Sequence, residues 1–286
     1  MENNILAIIV TYNRLECLKE CIAALRGQTY KEFDILVVNN GSNDGTKEYL
    51  ESQESILKIH QENLGGAGGF YAGMKYMYEH RYEWLWMMDD DGIADKHQLE
   101  NLLKYAGGEY LFLNALVVNI DDHSRLSFGK MQPVESFDGK TLTDEVFHPF
   151  NGTFVHWSVV DKVGLIKKEM FIWGDEQEYR CRVKSYGYKE FTVVPAIHYH
   201  PREKGKKLYV LPYISKRYIW DKPSNLSWIY YRNMGYITKN YHNKWYSKLG
   251  VVGNYIIALT WRLKFKELYK FYKYYNWGRK GIFDKQ

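Results

Sequence analysis

The 286-residue chain carries 39 Lys and Arg against 34 Asp and Glu, a formal net charge of +5, with 45% hydrophobic and 17% aromatic residues and 6 prolines. That length allows one large domain or a catalytic domain with an appendage, and either buries a sizeable core. The few prolines and the lack of Ser/Gly-rich stretches argue against long linkers and disorder. No recognised nucleic-acid module is visible, so no nucleic-acid partner is expected.

ILAIIVTY (5–12) is a β-rich apolar run that stops at Asn13-Arg14, which predicts a buried parallel strand. Leu15, Leu18, Ile22 and Leu25 then recur at helical spacing, with Cys17 and Cys21 one turn apart as two small core residues. FDILVVNNGS (33–42) predicts a second strand, and Asp44 and Thr46 offer caps for a helix over 45–53. ILKIH (56–60) is a third strand, GGAGGFYAGMKYMYEH (65–80) a glycine turn opening a helix, and YEWLWMMD (82–89) a fourth strand. Such alternation implies an α/β fold with a parallel sheet and right-handed crossovers. EYLFLNALVV (109–118) reads as a further strand, 119–148 as loops and short strands, and 225–286 as helical, rich in Tyr, Trp and Lys.

The three cysteines, Cys17, Cys21 and Cys181, form no metal-ligand pattern, and an odd count fits a reduced, intracellular protein. No N-terminal stretch has the regions of a signal peptide. The apolar GVVGNYIIALTW is too short to span a bilayer and carries Asn254, so the chain reads as soluble or peripheral. Beyond residue 238, Lys and Arg face only Glu267 and Asp284, a basic tail suited to an anionic surface.

Ligands of parallel α/β sheets sit at the carboxyl ends of the strands. Thr11-Tyr12-Asn13, Asn39-Asn40-Gly41, Asn63 to Gly69 and Asp89-Asp90-Asp91 all fall there. Strand alternation sends Asp89 and Asp91 one way and Asp90 the other, unless the turn begins early. Two hard oxygen ligands at a strand end suit Mg²⁺ or Mn²⁺ with phosphate oxygens. An isolated triple aspartate is more often a solvated acidic turn, but its place on the ligand rim favours the metal. The glycines of NLGGAGGF (63–70) allow close backbone approach or positive φ. They do not form a dinucleotide fingerprint, because Tyr71 stands where Gly or Ala is required and VVNNGS ends in amides.

IIVTYNR, VVNNGSNDGT and a strand-terminal DDD together resemble the GT-A nucleotide-sugar fold of family 2 glycosyltransferases. NLGGAGGFYAG, WLWMMDDD and FIWGDEQEYRCR narrow the resemblance to bacterial galactofuranosyltransferases, with rhamnosyltransferases as near relatives. It covers roughly residues 4–235 and implies a GT-A catalytic domain over 1–224, divided at 118/119 into nucleotide-binding and acceptor halves, followed by a helical, basic-aromatic segment over 225–286. The resemblance implies donor binding by Thr11, Asn13, Asn40, Asp44, Asn63, Gly65, Gly66, Gly68, Asp89 and Asp90. Asp44 would lie near the base, although capping its own helix is the alternative reading. Asp91 would ligate the metal, and a downstream histidine would complete the site, with His200 ahead of His198 and Asp89 as a further ligand.

An inverting transfer needs a carboxylate to take the acceptor hydroxyl proton. The second member of the family's acidic pair has that role, which is Glu176 here, with Asp175 as understudy. On the same helix Glu178 and Arg182 read as a surface pair at i, i+4. The resemblance puts His156, Trp157 and Trp173 on the acceptor side, and WIYYRNMGY (228–236) matches a YY-x-RN segment read as a structural helix start. Arg202 and Lys204 would meet the diphosphate.

In the tail, Leu249, Val252, Ile256, Leu259 and Leu263 form one helical stripe, and Trp261, Phe265, Leu268, Tyr272 and Tyr275 a second, with Lys266, Lys270 and Lys273 on another face. An aromatic, lysine-rich amphipathic helix suits an anionic membrane interface. The expectation is thus a metal-dependent, inverting enzyme using UDP-galactofuranose and Mn²⁺ or Mg²⁺. It would build surface polysaccharide on a lipid-linked or growing glycan acceptor, in the cytoplasm at the inner face of the plasma membrane. The alternatives are dTDP-rhamnose as donor, a nucleotidyltransferase, which would want a glycine-rich loop after the first strand, and a non-catalytic nucleotide-sugar-binding protein.

Overall fold

Ile5, Ala7 and Ile9 face one side of strand β1 (Ile5–Thr11) and Leu6, Ile8 and Val10 the other, and all six are buried. A strand apolar on both faces needs a helix layer on each. Helix α1 (Leu15–Arg26) covers the first face with Leu18, Cys21, Ile22 and Leu25, whereas Cys17 stays partly exposed. Strands β2 (Asp34–Asn39), β3 (Leu57–His60) and β4 (Trp84–Asp89) extend the parallel array, with α2 (Thr46–Glu51) between β2 and β3. Helix α3 (Gly65–Glu79) lies on the second face. A Cβ on Gly69 would overlap Val10 and one on Gly73 would press on Ile8, so these glycines set how closely α3 packs on β1.

The computed structural model describes residues 4–128, 133–144, 150–202, 205–214, 216–241 and 245–284, without the side chains of 245–249. They form two compact units, Met1–Lys168 with Arg182–Glu203, and Glu169–Cys181 with Lys204–Gln286.

In the first unit the chain continues through β5 (Ile93–Ala94), α4 (Gln98–Leu103), β6 (Phe112–Asn119), β7 (Leu142–Thr143), β8 (Thr153–His156), α5 (Trp157–Val163) and β9 (Phe191–His200). Among the described residues the sheet order is β3-β2-β1-β4-β8-β6-β9-β5, with β7 on β9. Only β5, β7 and β8 run antiparallel to their neighbours. The carboxyl ends of β1, β2, β3, β4, β6 and β9 therefore share one rim. Opposite β6, β9 skips from Val193 to Ile197, a bulge holding Pro195, which has no N–H to give the ladder. Past it the register resumes with His200 beside Asn119 at the rim.

In the second unit, β10 (Lys206–Tyr209) and β11 (Tyr218–Asp221) form an antiparallel hairpin. Helices α7 (Ser227–Tyr241), α8 (Trp245–Trp261) and α9 (Phe265–Arg279) enclose Tyr231, Tyr255, Leu259, Phe271 and Tyr275. The chain turns after α8 with Leu263 at φ 53°, which interrupts the second of the two apolar stripes expected in the tail. Leu259 and Tyr275 are buried, while Ile256, Trp261, Leu263, Phe265 and Tyr272 are exposed, as is Tyr269. The side chain of Leu249 and the whole of Lys204 lie outside what is described. Among the described residues no helix is long and apolar enough to cross a membrane.

The glycines of α3 separate packing from open surface. Gly69→Ala should lower the unfolding free energy by about 1–3 kcal/mol through overpacking against Val10. A Cβ on Gly66 meets nothing within 4 Å, so Gly66→Ala should leave stability unchanged or raise it by up to about 1 kcal/mol. Urea unfolding of both variants checks the contrast, and equal losses would contradict it.

Candidate active site

At the carboxyl end of β4 the three aspartates diverge. Asp90 is buried and accepts hydrogen bonds from Thr11 Oγ1 at 2.7 Å and Arg14 at 3.2 Å. Asp91 meets the same Arg14 nitrogen at 2.6 Å and lies 3.0 Å from His200 Nε2. Asp89 lies on the side of Asp91, and Asp89, Asp91 and His200 each offer a ligand atom within 4.8 Å of the others. Asn151, buried, reaches Asp89 from the loop before β8, its Nδ2 3.4 Å from the carboxylate.

The electrostatics follow from crowding acids in a half-dry place. Burial pushes the Asp90 carboxyl up to about 6, although Thr11 and Arg14 favour its ionised form. Burial acts likewise on Asp91, but His200 and Arg14 outweigh it and hold that carboxyl below the usual range. Burial would lower His200, yet the hydrogen bond and charge of Asp91, with the charge of Asp89, raise it above an ordinary histidine. His200 Nδ1 lies 2.6 Å from the carbonyl oxygen of Pro201. A carbonyl only accepts, so Nδ1 carries a proton, and the neutral ring presents the Nε2 lone pair toward the carboxylates.

The other rim residues expected to bind a donor mostly hold the loops together. Asn13, at φ 53°, accepts from Asn43 N and donates its own N–H to Ser42. Asn40 donates to the carbonyl of Gly65 at 2.8 Å and accepts from Gln61 and Leu64 N. Asn63 accepts from Gly65 N, with Gly65 at φ 72°. Asp44 accepts from Thr46 and from Leu15 N at the start of α1, so it ties two helix starts together. Gly68 abuts Leu64, while Gly66 faces open space.

Three of the expected residues sit apart from the convergent group. His198 is fully buried, with Nδ1 3.1 Å from Gln98 Oε1 and its ring against Gly92, and it is not in the convergent Asp-Asp-His group. His156 pairs with Trp84, at the amino end of β4 and so the far end from Asp89. It caps α5 by accepting from Ser158 N, and Trp157, 44% exposed, follows it. Because β8 runs antiparallel to β4, neither reaches the rim; Asn151 does. Arg14 and Asn151 escaped the sequence reading. The only signals for them were an arginine just past β1 and an Asn-Gly step before a strand.

The acid pair belongs to the second unit, at the start of helix α6 (Asp175–Ser185). Asp175 is buried and Glu176 partly exposed, preceded by Trp173 and Gly174 at φ 61° and 99°. Glu178 is fully buried and accepts from Tyr241 at 2.6 Å, so it is not a surface group.

His200 and Asp91 give a signed pH test in chelator. The folded-state pKa of His200 is raised, so its ion pair contributes fully below about pH 6.5, the ordinary histidine value, and fades as pH rises through the folded value. The thermal stability margin of wild type over His200→Gln should be largest near pH 6 and shrink toward pH 9. A margin that grows with pH would contradict the pairing. Asp90 titrates in both proteins, so the difference removes it.

A family model for glycosyl transferase family 2 matches residues 6–156. Galactofuranosyltransferase GlfT1 of Mycobacterium tuberculosis is 29% identical over 255 residues, 83% of each chain. The protein of that name from Mycolicibacterium smegmatis is 31% identical over 211 residues, 68% of this chain and 70% of its own. Among solved structures, GalNAc-T7 with UDP, GalNAc and Mn²⁺ has a TM-score of 0.58 at 15% identity, over 84% of this chain and 49% of that one. The last likeness carries the fold alone, the GT-A arrangement of a mostly parallel sheet with flanking helices. With more than half the sequence under the family model and its motifs on the strand ends that form the rim, the chain belongs to glycosyl transferase family 2 and is a glycosyltransferase.

Proposed function

We propose that this enzyme is an inverting galactofuranosyltransferase that takes its sugar from UDP-galactofuranose and passes it to a lipid-linked or growing glycan. The convergence of Asp89, Asp91 and His200 carries the reading, supported by the names of the relatives. Two carboxylates and an imidazole fit Mn²⁺ or Mg²⁺, and the Pro201 carbonyl holds His200 in the ligating tautomer. When bound, the ion supplies counter-charge to the leaving diphosphate.

The remaining roles fall to the chain's own groups. Arg14, half exposed beside Asp90 and Asp91, is a cation available to a donor phosphate. Gly66 leaves the start of α3 open for close approach. Asn13, Asn40, Asp44 and Asn63 shape the nucleoside side through the loops they tie, and Thr11 through its bond to Asp90. Glu176 takes the proton from the acceptor hydroxyl as that oxygen attacks the anomeric carbon. Its partial exposure favours it over Asp175, whose carboxyl is buried. Trp173, next to the pair, serves the acceptor.

For the tail we propose peripheral attachment to an anionic membrane at the cytoplasmic face. Trp261, Leu263, Phe265, Tyr269 and Tyr272 expose an apolar surface beside Lys266 and Lys273. Lys270 is spent internally, on Glu267 at 2.9 Å and the Ser224 carbonyl at 2.8 Å.

Mass spectrometry with UDP-galactofuranose, UDP-galactopyranose and dTDP-rhamnose should show transfer from the first alone; preference for the rhamnosyl donor would overturn the sugar assignment. Asp91→Ala or EDTA should abolish turnover, with Mn²⁺ or Mg²⁺ restoring only the chelated wild type, and full activity in excess chelator would remove the metal. Glu176→Gln should cost roughly two to four orders of magnitude in rate with little change in donor affinity. Lys266→Gln with Lys273→Gln should weaken binding to anionic vesicles about 30-fold, at about 1 kcal/mol per lysine. Indifference of the wild type to such vesicles at low salt would end the membrane reading.

A further inference from the structure

The loop that leads into the acid pair has a backbone that needs support. Phe171 and Trp173 stand at φ 64° and 61° and Gly174 at φ 99°, so the chain is bent through left-handed conformations that side-chain-bearing residues rarely adopt. A loop of this kind keeps one shape only when its surroundings over-determine it. Here the surroundings are two consecutive residues of α7.

Asn233 is fully buried, and its Nδ2 lies 2.8 Å from the carbonyl oxygen of Met170, 3.1 Å from that of Ile172 and 2.9 Å from that of Trp173. Its Oδ1 accepts from Arg232 Nε at 3.1 Å and from a terminal guanidinium nitrogen at 3.0 Å. A guanidinium only donates, so it must face the amide oxygen, and this turns the NH₂ toward the loop. The same guanidinium donates to the carbonyls of Glu169 at 2.8 Å and Met170 at 3.2 Å, and to Phe283 beyond α9 at 2.6 Å. Gly174 leaves no slack on this side, since a Cβ there would lie 3.2 Å from Ile237 Cδ1 of α7. From the end of α7, Tyr241 holds the first turn of α6 through Glu178. The Arg-Asn step of WIYYRNMGY thus clamps residues 169–173 by their carbonyls, immediately before Asp175 and Glu176.

We infer that Asn233, oriented by Arg232, is a positioning residue for the acid pair: it fixes the loop from which Asp175 and Glu176 project. The inference rests on the proposed base role of Glu176. The test crosses Asn233→Ala with Glu176→Gln in the full-length enzyme, following turnover, donor Kd, thermal stability and hydrogen exchange of the amides of residues 170–176. Asn233→Ala should lower kcat by on the order of 100-fold, the cost of a misplaced catalytic group, with donor Kd unchanged and faster exchange in the loop. In the Glu176→Gln background the same change should cost little more, because the group it positions no longer takes the proton. Asn233→Ser keeps one donor and should fall between wild type and alanine, which also covers the case that the alanine variant folds poorly. An equal fold-loss in both backgrounds, or a loosened loop with unchanged kcat, overturns the inference. Glu176→Gln at the wild-type rate is a separate failure, visible without any change at Asn233; it removes the base assignment and this inference with it.

Discussion

Three carboxylates in succession at the open end of a buried strand repel one another, and the rim of this protein is organised around offsetting that repulsion. Alternation along the strand end does the first part, sending Asp90 toward Thr11 and Arg14 and leaving Asp89 and Asp91 together. Charge does the second. Arg14 bridges Asp90 and Asp91, and His200, raised in pKa, pairs with Asp91 from a strand whose register was reset by the Pro195 bulge. The buried Asp90 responds as a poorly solvated acid must, toward its neutral form. The outcome is a concentration of negative charge offset by one arginine and one titratable histidine.

The glycine-rich start of α3 illustrates how one motif divides between structure and ligand. Gly69 and Gly73 exist for contact with β1, and Gly65 supplies a positive φ at the loop that Asn40 and Asn63 hold. Gly66 leaves free space. The second unit shows the same economy, since the close approach of α7 and α9 at Gly235 and Gly278 places Arg232 where its guanidinium can serve both the 169–170 carbonyls and Phe283.

The first four strands were legible because a strand buried on both faces is an apolar run with a polar stop, and the rim followed from the ends of those runs. The convergence of Asp89 and Asp91 was legible from alternation, and the choice of His200 from the family resemblance. What was not legible depends on long-range pairing. His198 and His200 look alike in HYH, and they are told apart by Gln98, a hundred residues away, which engages the first. His156 and Trp157 were placed with the acceptor by resemblance, but the antiparallel course of β8 carries them to the other end of β4 and brings Asn151 to the rim instead. In the tail, helical spacing alone gave continuous stripes, whereas in the structure each is divided between buried and exposed side chains.

Asp89, Asp91 and His200 are proposed to act together as one divalent-cation site. Calorimetric titration of Mn²⁺ into the chelator-stripped enzyme near pH 6.5, repeated in buffers of different ionisation enthalpy, tests it most directly. One ion per chain is expected, bound with net proton release as the His200 imidazolium loses its Nε2 proton, and both the affinity and that proton release should be lost in His200→Gln. Binding of equal strength and equal proton release in His200→Gln, or no binding by the wild type, would contradict it.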